Sequence, residues 1–354
     1  MIGEELIQLV TPEGERVANP LYESTLSGEA IFNMYRDMVI VRRLDAESTS
    51  LQRQGQLALW APIQGQEAAQ IGAGRAMQPN DFSFPTYREH GIAWCRGVPP
   101  EDMLRMFRAT SNGGWDAQKY RHSVPTIVLG NQVLNAVGYG MGIQRDGAED
   151  AVMTFFGDGA SSQGDVLEAF VWASSFNVPI VFFLQNNQWG ISTPMSIQSK
   201  IPLYHRAPGF GFPGVRVDGN DVVAVYEVTK RALDSARYGG GPTLIEAYTY
   251  RLGAHTTSDD PTRYRIDAEV EVWKHRDPIE RVKALLVREY SVKSAQFDDV
   301  SAEADEKALK LREDVLAMDR PDPITMFDNA YADVHPLIEE GRREMIELGV
   351  SGGH

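Results

Sequence analysis

Two short apolar runs on either side of an amphipathic segment constrain the fold of this chain more than any other feature. Residues 152–156 (VMTFF) and 179–184 (PIVFFL) each have the length of a buried strand. Residues 165–176, which lie between them, predict a helix. Its apolar residues share one face and are Val166, Ala169, Phe170 and Ala173. This order predicts a β-α-β unit, whose two strands are parallel and are covered on both faces.

A polar motif follows each of the two apolar runs. Gly157-Asp158-Gly159 comes directly after the first run, and Asn186-Asn187 follows the second. Each motif alone is more typical of a tight turn or a loop cap. Together they lie at the carboxyl ends of adjacent strands, where open α/β sheets bind ligands. A carboxylate oxygen beside an amide oxygen at that edge suits a hard divalent cation such as Mg2+.

The residues around Asp158 also favour an anion. Mg2+ in proteins is usually completed by water and phosphate oxygens, and the flanking glycines let the backbone approach a diphosphate closely. Ser161 and Ser162 lie near the predicted start of the helix, where free N–H groups and a partial positive charge attract anions. The sequence therefore predicts a diphosphate that is held through Mg2+.

These motifs resemble the signature of thiamine-diphosphate enzymes, in which Gly-Asp-Gly is followed at a similar spacing by Asn-Asn. Further segments look like the E1 α subunit of 2-oxo acid dehydrogenase complexes, namely residues 65–68 (GQEA), 85–89 (PTYRE), 185–194 (QNNQWGISTP) and 250–261 (YRLGAHTTSDDP). The likeness extends from about residue 30 to about residue 290. It is strongest to the bacterial pyruvate and branched-chain members, and it implies the diphosphate-binding module of the thiamine-diphosphate-binding fold.

The resemblance implies which residues contact the cofactor. They are Tyr87, Arg88, Ile127, Leu129, Gly157, Asp158, Gly159, Ala160, Gln185, Asn187, Trp189 and His255. The implied Mg2+ ligands are Asp158, Asn187 and the backbone carbonyl of Trp189. His255 is the implied catalytic residue, which contacts the cofactor and assists acyl transfer to lipoate.

Physical chemistry supports two of these assignments. The guanidinium of Arg88 is a fixed fork of donors that suits phosphate, and the imidazole of His255 can donate to a carboxylate or a diphosphate.

Gln185 replaces the arginine of some branched-chain members, which favours the pyruvate-type pattern. Phe84 is a candidate for the substrate pocket. The loop after His255 contains Thr256, at the place of a regulatory serine in mitochondrial relatives, and Asp259, Tyr264 and Arg265, which match a loop that orders when cofactor binds.

The composition disfavours several partners. The chain has 354 residues, with 34 basic and 49 acidic side chains and a net charge of −15. This balance disfavours nucleic acid and anionic membranes, so an anionic substrate must be bound by a local cluster of positive charge. Cys95 is the only cysteine, so neither a disulfide framework nor a thiolate metal site is expected. The N-terminus lacks the layout of a signal peptide and no apolar run has bilayer length, so a cytoplasmic protein is expected.

Strands alternate with helices along the centre of the chain, which predicts an α/β fold with a doubly wound parallel sheet and flanking helices. The predicted divisions are an N-terminal extension with a long helix (1–54), a thiamine-diphosphate-binding domain (55–290) and a C-terminal helical extension (291–354). Further predicted helices span 28–52, 101–109, 132–143, 221–238, 278–289, 302–317 and 336–348, and further strands span 214–219 and 243–248. Residues 1–26 are expected to wrap a neighbour or to fray, and residues 113–123 to form a loop.

Three glycines lie inside the helix predicted for residues 132–143. Gly138, Gly140 and Gly142 are spaced like a dinucleotide fingerprint but do not follow a strand. They therefore indicate a small helix face that packs closely on its neighbour.

The chain contains one diphosphate module and has little room for a second full domain of that size. The family binds its cofactor between two such modules, and the second supplies a glutamate that activates the cofactor. The resemblance therefore implies a β subunit, an α2β2 assembly and a lipoyl acyltransferase partner, E2. The implied reaction is oxidative decarboxylation of pyruvate with reductive acylation of the E2 lipoyl group.

Three other functions stay open at this point. The same chemistry on branched-chain 2-oxo acids such as 2-oxoisovalerate is the main alternative. A noncatalytic scaffold would keep the fold but would not need Asp158, Asn187 or His255. A nicotinamide dehydrogenase is disfavoured, because no glycine fingerprint follows a strand with an acidic residue at the end of the next one.

Overall fold

The computed structural model describes residues 6–328 and 330–349. The strands are β1 (Leu6–Ile7), β2 (Phe82–Phe84), β3 (Val152–Gly157), β4 (Ile180–Asn186), β5 (Trp189–Gly190), β6 (Thr193–Pro194), β7 (Gly214–Asp218) and β8 (Thr243–Tyr248). The helices are α1 (Gly28–Arg53), α2 (Glu67–Ala76), α3 (His90–Cys95), α4 (Pro100–Arg105), α5 (Ala117–Tyr120), α6 (Asn131–Asp146), α7 (Gly164–Ser175), α8 (Met195–Gln198), α9 (Arg206–Gly209), α10 (Val222–Ser235), α11 (Asp267–Lys274), α12 (Pro278–Tyr290), α13 (Ser294–Leu316) and α14 (Pro336–Glu347). In the described ranges, six strands form one parallel sheet in the order β1-β7-β8-β4-β3-β2, and β5 pairs with β6.

Both faces of the sheet are covered by helices. Successive side chains of a strand point to opposite faces, so Met153 and Phe155 of β3 enter a core with α1, α2 and α10. Val152 and Phe156 of the same strand enter a second core with α6 and α7. Burial on both faces explains why these strands are continuous apolar runs. The predicted α/β fold with a doubly wound parallel sheet and flanking helices is confirmed.

The register of the central strands brings three strand ends to one edge. Gly157 of β3 lies opposite Gln185 of β4, and Asn186 lies opposite Tyr248 of β8. The residues that follow these strands therefore start from neighbouring positions. This edge holds the polar motifs that the sequence placed after the two apolar runs.

The N-terminal segment is part of the sheet, and the expectation that it would wrap a neighbour or fray is wrong for residues 6–10. Leu6 and Ile7 pair with Arg216 and Val217 as an edge strand. The backbone amides of Leu9 and Val10 both donate to Asp221 Oδ2 at 2.7 Å. Residues 1–5 lie outside the described part of the chain, and the division into one domain with two extensions stays a prediction.

Several predicted helices and loops have different bounds. The expected loop 113–123 contains the short helix α5, the helix expected at 101–109 ends at Arg105, and α13 begins at Ser294 instead of residue 302. The helix expected at residues 221–238 is α10, which continues after Ser235 as a π-helical turn at Ala236–Gly240. Among the described helices, none is long and apolar enough to cross a membrane.

The three glycines of α6 do not share one environment. A Cβ on Gly140 would lie 2.5 Å from Val178 Cγ1, so this glycine allows close packing on the segment before β4. Gly138 and Gly142 have no such neighbour within 4 Å among the described residues. The predicted close-packed face is therefore correct for Gly140 alone.

The aromatic packing of α7 gives the first prediction. Phe170 is buried, and its ring lies 4.8 Å from that of Phe182 and 5.4 Å from that of Phe212. Phe170→Ala is expected to lower the free energy of unfolding by about 3–5 kcal/mol, because it leaves a cavity between helix and sheet. Phe176→Ala, at an exposed position after the same helix, should change it by less than about 1 kcal/mol. Urea unfolding of both variants tests this, and equal effects would contradict it.

Candidate active site

One cleft of about 330 Å³ opens at the carboxyl edge of β3 and β4. The predicted cofactor residues that line it are Tyr87, Arg88, Leu129, Gly157, Asp158, Gly159, Ala160, Gln185, Asn187, Trp189 and His255. The other lining residues are Gln66, Thr86, Glu89, Ser162, Gly190, Ile191, Thr193 and Gln198. The structure therefore brings together eleven of the twelve predicted residues.

Two candidate residues lie elsewhere. Ile127 is 60% exposed and is not part of the cleft lining. Phe84 packs against the rings of Phe82 and Tyr139, with centroid distances of 5.1 and 5.7 Å. Phe84 is likewise absent from the lining of the cleft, so a role in the substrate pocket has no support in the geometry.

Asp158 is a buried carboxylate at the bottom of the cleft. Its Oδ2 accepts a hydrogen bond of 2.6 Å from Gln198 Nε2. Burial raises the pKa of Asp158 to about 6, although this hydrogen bond, the positive charge of Arg251 and the backbone amide of Asn187 act in the opposite direction. A cation beside this carboxylate would offset the cost of burying its charge.

Asn187 and Trp189 provide the other two oxygens of the predicted metal site. Asn187 donates through Nδ2 to Gln66 Oε1 at 3.1 Å, and its Oδ1 accepts from the Trp189 amide at 3.3 Å. The carbonyl of Trp189 accepts from Arg251 Nη1 at 3.1 Å. Each of these two oxygens keeps a second lone pair for a metal ion. The described residues contain no group of three or more His, Cys, Asp or Glu side chains that could hold a metal by themselves.

The turn that carries Trp189 is strained. Gln188 has φ +70° and Ile191 has φ +56°, which is a rare backbone conformation for a β-branched residue. Arg251 Nη2 donates to the Ile191 carbonyl at 2.8 Å and fixes this turn. Strain of this kind persists only where the surroundings enforce it, and it is common at functional sites.

Two glycines narrow the distance between the loops that carry Asp158 and Trp189. A Cβ on Gly159 would lie 3.3 Å from Gly190 Cα. Gly159 has φ −60°, so packing and not backbone conformation favours glycine there. The backbone of both loops is therefore open to a ligand that lies between them.

His255 lies in a cluster of positive charge. Its Nδ1 is 3.3 Å from both Arg88 Nη2 and Arg251 Nη1. Burial and these two guanidiniums lower the pKa of His255 to about 4, although Asp259 acts in the opposite direction. Arg265 adds a third guanidinium, which donates to the Arg251 carbonyl at 2.5 Å. The local positive cluster predicted for an anionic substrate is present, although the whole chain has a charge of −15.

Glu89 is a second buried carboxylate of the cleft, and it was not among the residues predicted from the sequence. It accepts from Gln185 Nε2 at 2.6 Å and from both the amide and the hydroxyl of Thr86 at 2.5 Å. Burial raises the pKa of Glu89. The spacing Thr86-x-x-Glu89 is like that of a capping box and is the only local signal for this contact, although Glu89 is the N-cap residue of α3 and not its third residue. Gln198 had no such signal in the sequence, because its contact with Asp158 joins residues that are far apart along the chain.

The loop after His255 is held by its own side chains. Asp259 accepts from the His255 amide at 2.9 Å and from the Tyr264 hydroxyl. Tyr264 in turn accepts from Arg251 Nη2 at 2.8 Å. Thr256 is half-buried in this loop, and its hydroxyl accepts from the Ser258 amide at 3.4 Å.

Comparison with known proteins identifies the family. The sequence profile described as the dehydrogenase E1 component matches residues 35–314. This chain belongs to the dehydrogenase E1 component family. It is similar to the 3-methyl-2-oxobutanoate dehydrogenase subunit alpha of Mycobacterium tuberculosis, with 43% identity over 342 residues that cover 96% of this chain and 93% of that protein.

Other relatives are named for a different substrate. The pyruvate dehydrogenase E1 component subunit alpha of Acholeplasma laidlawii is 35% identical over 343 residues, which cover 93% of this chain and 96% of that protein. The corresponding subunit of Staphylococcus aureus is 38% identical over 285 residues, with coverage of 80% and 76%. The chain is thus an E1 α subunit of a 2-oxo acid dehydrogenase, as the resemblance implied. Membership of the E1 family implies thiamine diphosphate as cofactor, together with β and E2 partners.

The glycine contact generates a prediction for this E1 α subunit. Gly159→Val is expected to weaken thiamine diphosphate binding about tenfold or more, because its side chain would press on Gly190 and fill the space between the two loops. Gly164→Ala is the control, since Gly164 has no neighbour within 4 Å of an added Cβ in the described chain. Calorimetric titration with Mg2+ and β present measures both affinities. Equal affinities in the two variants would contradict the inference that the cofactor lies between these two loops.

Proposed function

We propose that this chain is the α subunit of an α2β2 E1 that decarboxylates a 2-oxo acid and transfers the acyl group to the lipoyl group of E2. The observation that carries the proposal is the convergence of Asp158, Asn187 and His255 on one cleft at the carboxyl edge of the sheet. Thiamine diphosphate bound there would supply a ring that accepts the electrons released when carbon dioxide leaves. A scaffold would gain nothing from burying these polar groups.

The donor set fits Mg2+ and a diphosphate. Asp158 would contribute one carboxylate oxygen, and Asn187 Oδ1 and the Trp189 carbonyl would contribute neutral oxygens, which leaves positions for phosphate oxygens. Gln66 Nε2 is buried at the cleft and has no hydrogen-bond partner among the described residues. An anionic oxygen would satisfy this donor. The assignment of these ligands, and of Arg88 to the phosphate end, stays a prediction.

The mouth of the cleft supports a partner chain. The lining residue Ile191 is exposed, and so are four large apolar residues that lie close to lining residues along the chain, namely Ile127, Val128, Ile197 and Ile201. A concentration of exposed aliphatic side chains around one cleft is typical of a protein interaction surface. The proposed β subunit would cover this rim and complete the site with its activating glutamate. The predicted cytoplasmic location stays a prediction.

We infer two candidate substrates. Gln185 in place of an arginine favours pyruvate, and two of the relatives are named as pyruvate dehydrogenases. The 43% identity to a 3-methyl-2-oxobutanoate dehydrogenase favours the branched-chain acid 2-oxoisovalerate. Each extra methylene in an apolar pocket changes kcat/KM by roughly 10- to 200-fold, so kcat/KM of the α–β pair with both acids separates the two candidates.

Asp158→Ala is expected to abolish the Mg2+-dependent stabilisation by thiamine diphosphate, because it removes the only carboxylate of the proposed ligand set. Without cofactor, the Tm of the variant should not fall sharply, because the buried carboxylate is itself unfavourable. Asp165→Asn, an exposed carboxylate of α7, is the matched control. Thermal shift with and without Mg2+ measures the effect, and an unchanged cofactor affinity in Asp158→Ala would refute the metal assignment.

The α chain alone is expected to show no decarboxylation of either acid, since half of the cofactor site would be missing. Adding β should restore turnover, measured as carbon dioxide release with an artificial electron acceptor. A robust rate from a β-free preparation would show that the site is not shared between two chains.

A further inference from the structure

The backbone of His255 is fixed from two sides. Its amide donates to Asp259 Oδ2 at 2.9 Å, and its carbonyl accepts from Arg88 Nη2 at 2.8 Å. The ring lies edge-on to Tyr87, with a centroid distance of 6.1 Å. These contacts hold the imidazole in one place at the wall of the cleft.

The two ring nitrogens of His255 have different surroundings. Nδ1 lies 3.3 Å from a terminal nitrogen of Arg88 and 3.3 Å from one of Arg251. A guanidinium has only donors, so Nδ1 must offer its lone pair to both. No described residue forms a hydrogen bond with Nε2. A neutral imidazole in this setting carries its proton on Nε2.

Arg251 cannot turn away from this ring without breaking other contacts. It is fully buried, and it donates to the Trp189 carbonyl at 3.1 Å, the Ile191 carbonyl at 2.8 Å and the Tyr264 hydroxyl at 2.8 Å. These acceptors lie on two segments, the strained turn after β4 and the loop after β8. Arg251 therefore joins the two segments, and its Nη1 also donates to the His255 ring, while its Nε has no hydrogen-bond partner among the described residues.

We propose that Arg251 is a positioning residue which, together with Arg88, fixes His255 as the neutral tautomer with its proton on Nε2. His255 then acts in the cleft as a hydrogen-bond donor, and not as a base or a cation. This inference rests on the proposed function, because the acceptor for Nε2–H would be a carboxylate, carbonyl or phosphate oxygen of the bound ligands.

The charges around the ring support a neutral imidazole. The groups that face it are the guanidiniums of Arg88 and Arg251, the Asp259 carboxylate and the Tyr87 ring. The two guanidiniums contact the ring nitrogen Nδ1 directly, whereas Asp259 binds the backbone amide of His255. The lowered pKa of His255, about 4, agrees with a ring that stays neutral above pH 5.

Nitrogen NMR of the full-length chain tests the tautomer directly. The chain is labelled with ring-15N histidine, and long-range proton–nitrogen correlations are recorded between pH 5.5 and 8.5. His255→Gln identifies the signals by their loss, and exposed His275 serves as a reference. A single Nε2–H pattern without a protonation step is expected. An Nδ1–H tautomer, a mixture, or a midpoint inside this range would overturn the proposal.

Arg251→Met tests the positioning role, and Arg265→Met is the matched control. Arg265 is a guanidinium of the same loop that donates to the carbonyls of Arg251, Leu252 and Gly253 and not to the imidazole. Arg251→Met should mix the tautomers and move the protonation midpoint of His255 upward, because one positive charge is lost. Arg265→Met should leave the tautomer unchanged. Identical spectra for Arg251→Met and wild type would refute the role, and if Arg251→Met does not fold, the wild-type spectrum decides alone.

The function of Nε2 is tested by a pair of amide variants in the α–β enzyme. The amide nitrogen of His255→Gln is as many bonds from Cβ as Nε2, whereas that of His255→Asn corresponds to Nδ1. His255→Gln is expected to retain about tenfold more kcat than His255→Asn, since it alone can keep the donor. Equal losses would contradict a donor role. The NMR result does not depend on cofactor or turnover, so this proposal and the proposed function can fail separately.

Discussion

Parallel pairing of β3 with β4 is the constraint on which the site depends. Gly157 lies opposite Gln185, so Asp158 and Asn187 leave the sheet at the same edge from adjacent strands. A slip of one residue would turn the side chains of one strand to the other face. Burial of both strands on two faces prevents such a slip, because Phe155 and Phe156 each fill a separate core. Packing of the sheet therefore sets the geometry of the polar residues beyond it.

The active-site cleft holds a cluster of positive charge, although the chain as a whole is acidic. The overall excess is acidic, but two guanidiniums contact the His255 ring, namely Arg88 from the segment after β2 and Arg251 from the loop after β8. Arg265 of the same loop binds backbone carbonyls beside them. Arg251 is buried and donates to two carbonyls, a hydroxyl and the His255 ring, and no carboxylate in the described residues accepts from it. The Asp259 carboxylate offsets part of this charge, but Arg251 reaches it only through the Tyr264 hydroxyl. An anionic ligand would be attracted by the positive charge that remains. The same side chain holds the strained turn at Ile191.

The cleft has a buried polar interior, but exposed apolar residues lie around its mouth. Its inner side consists of buried polar residues, while Val128 and Ile197 near its mouth are each 72% exposed. The core of the sheet leaves no comparable apolar surface open on β3 or β4. The buried polar interior and the exposed apolar rim are consistent with the proposal that a β subunit covers this cleft.

The sequence by itself determined the β-α-β unit, the helix face of α7 and the placement of Asp158 and Asn187, because these depend on local periodicity and on where a strand ends. The edge strand β1 is only two residues long and pairs with a strand far along the chain, so no local pattern indicated it. The partners of Asp158 and His255 also come from distant segments. Arg88 is separated from His255 by 167 residues, and only tertiary packing decides that its guanidinium meets that ring. The polar residues at strand ends can thus be predicted from the sequence. The orientation and protonation of the side chains in the cleft depend on contacts that exist only in the folded state.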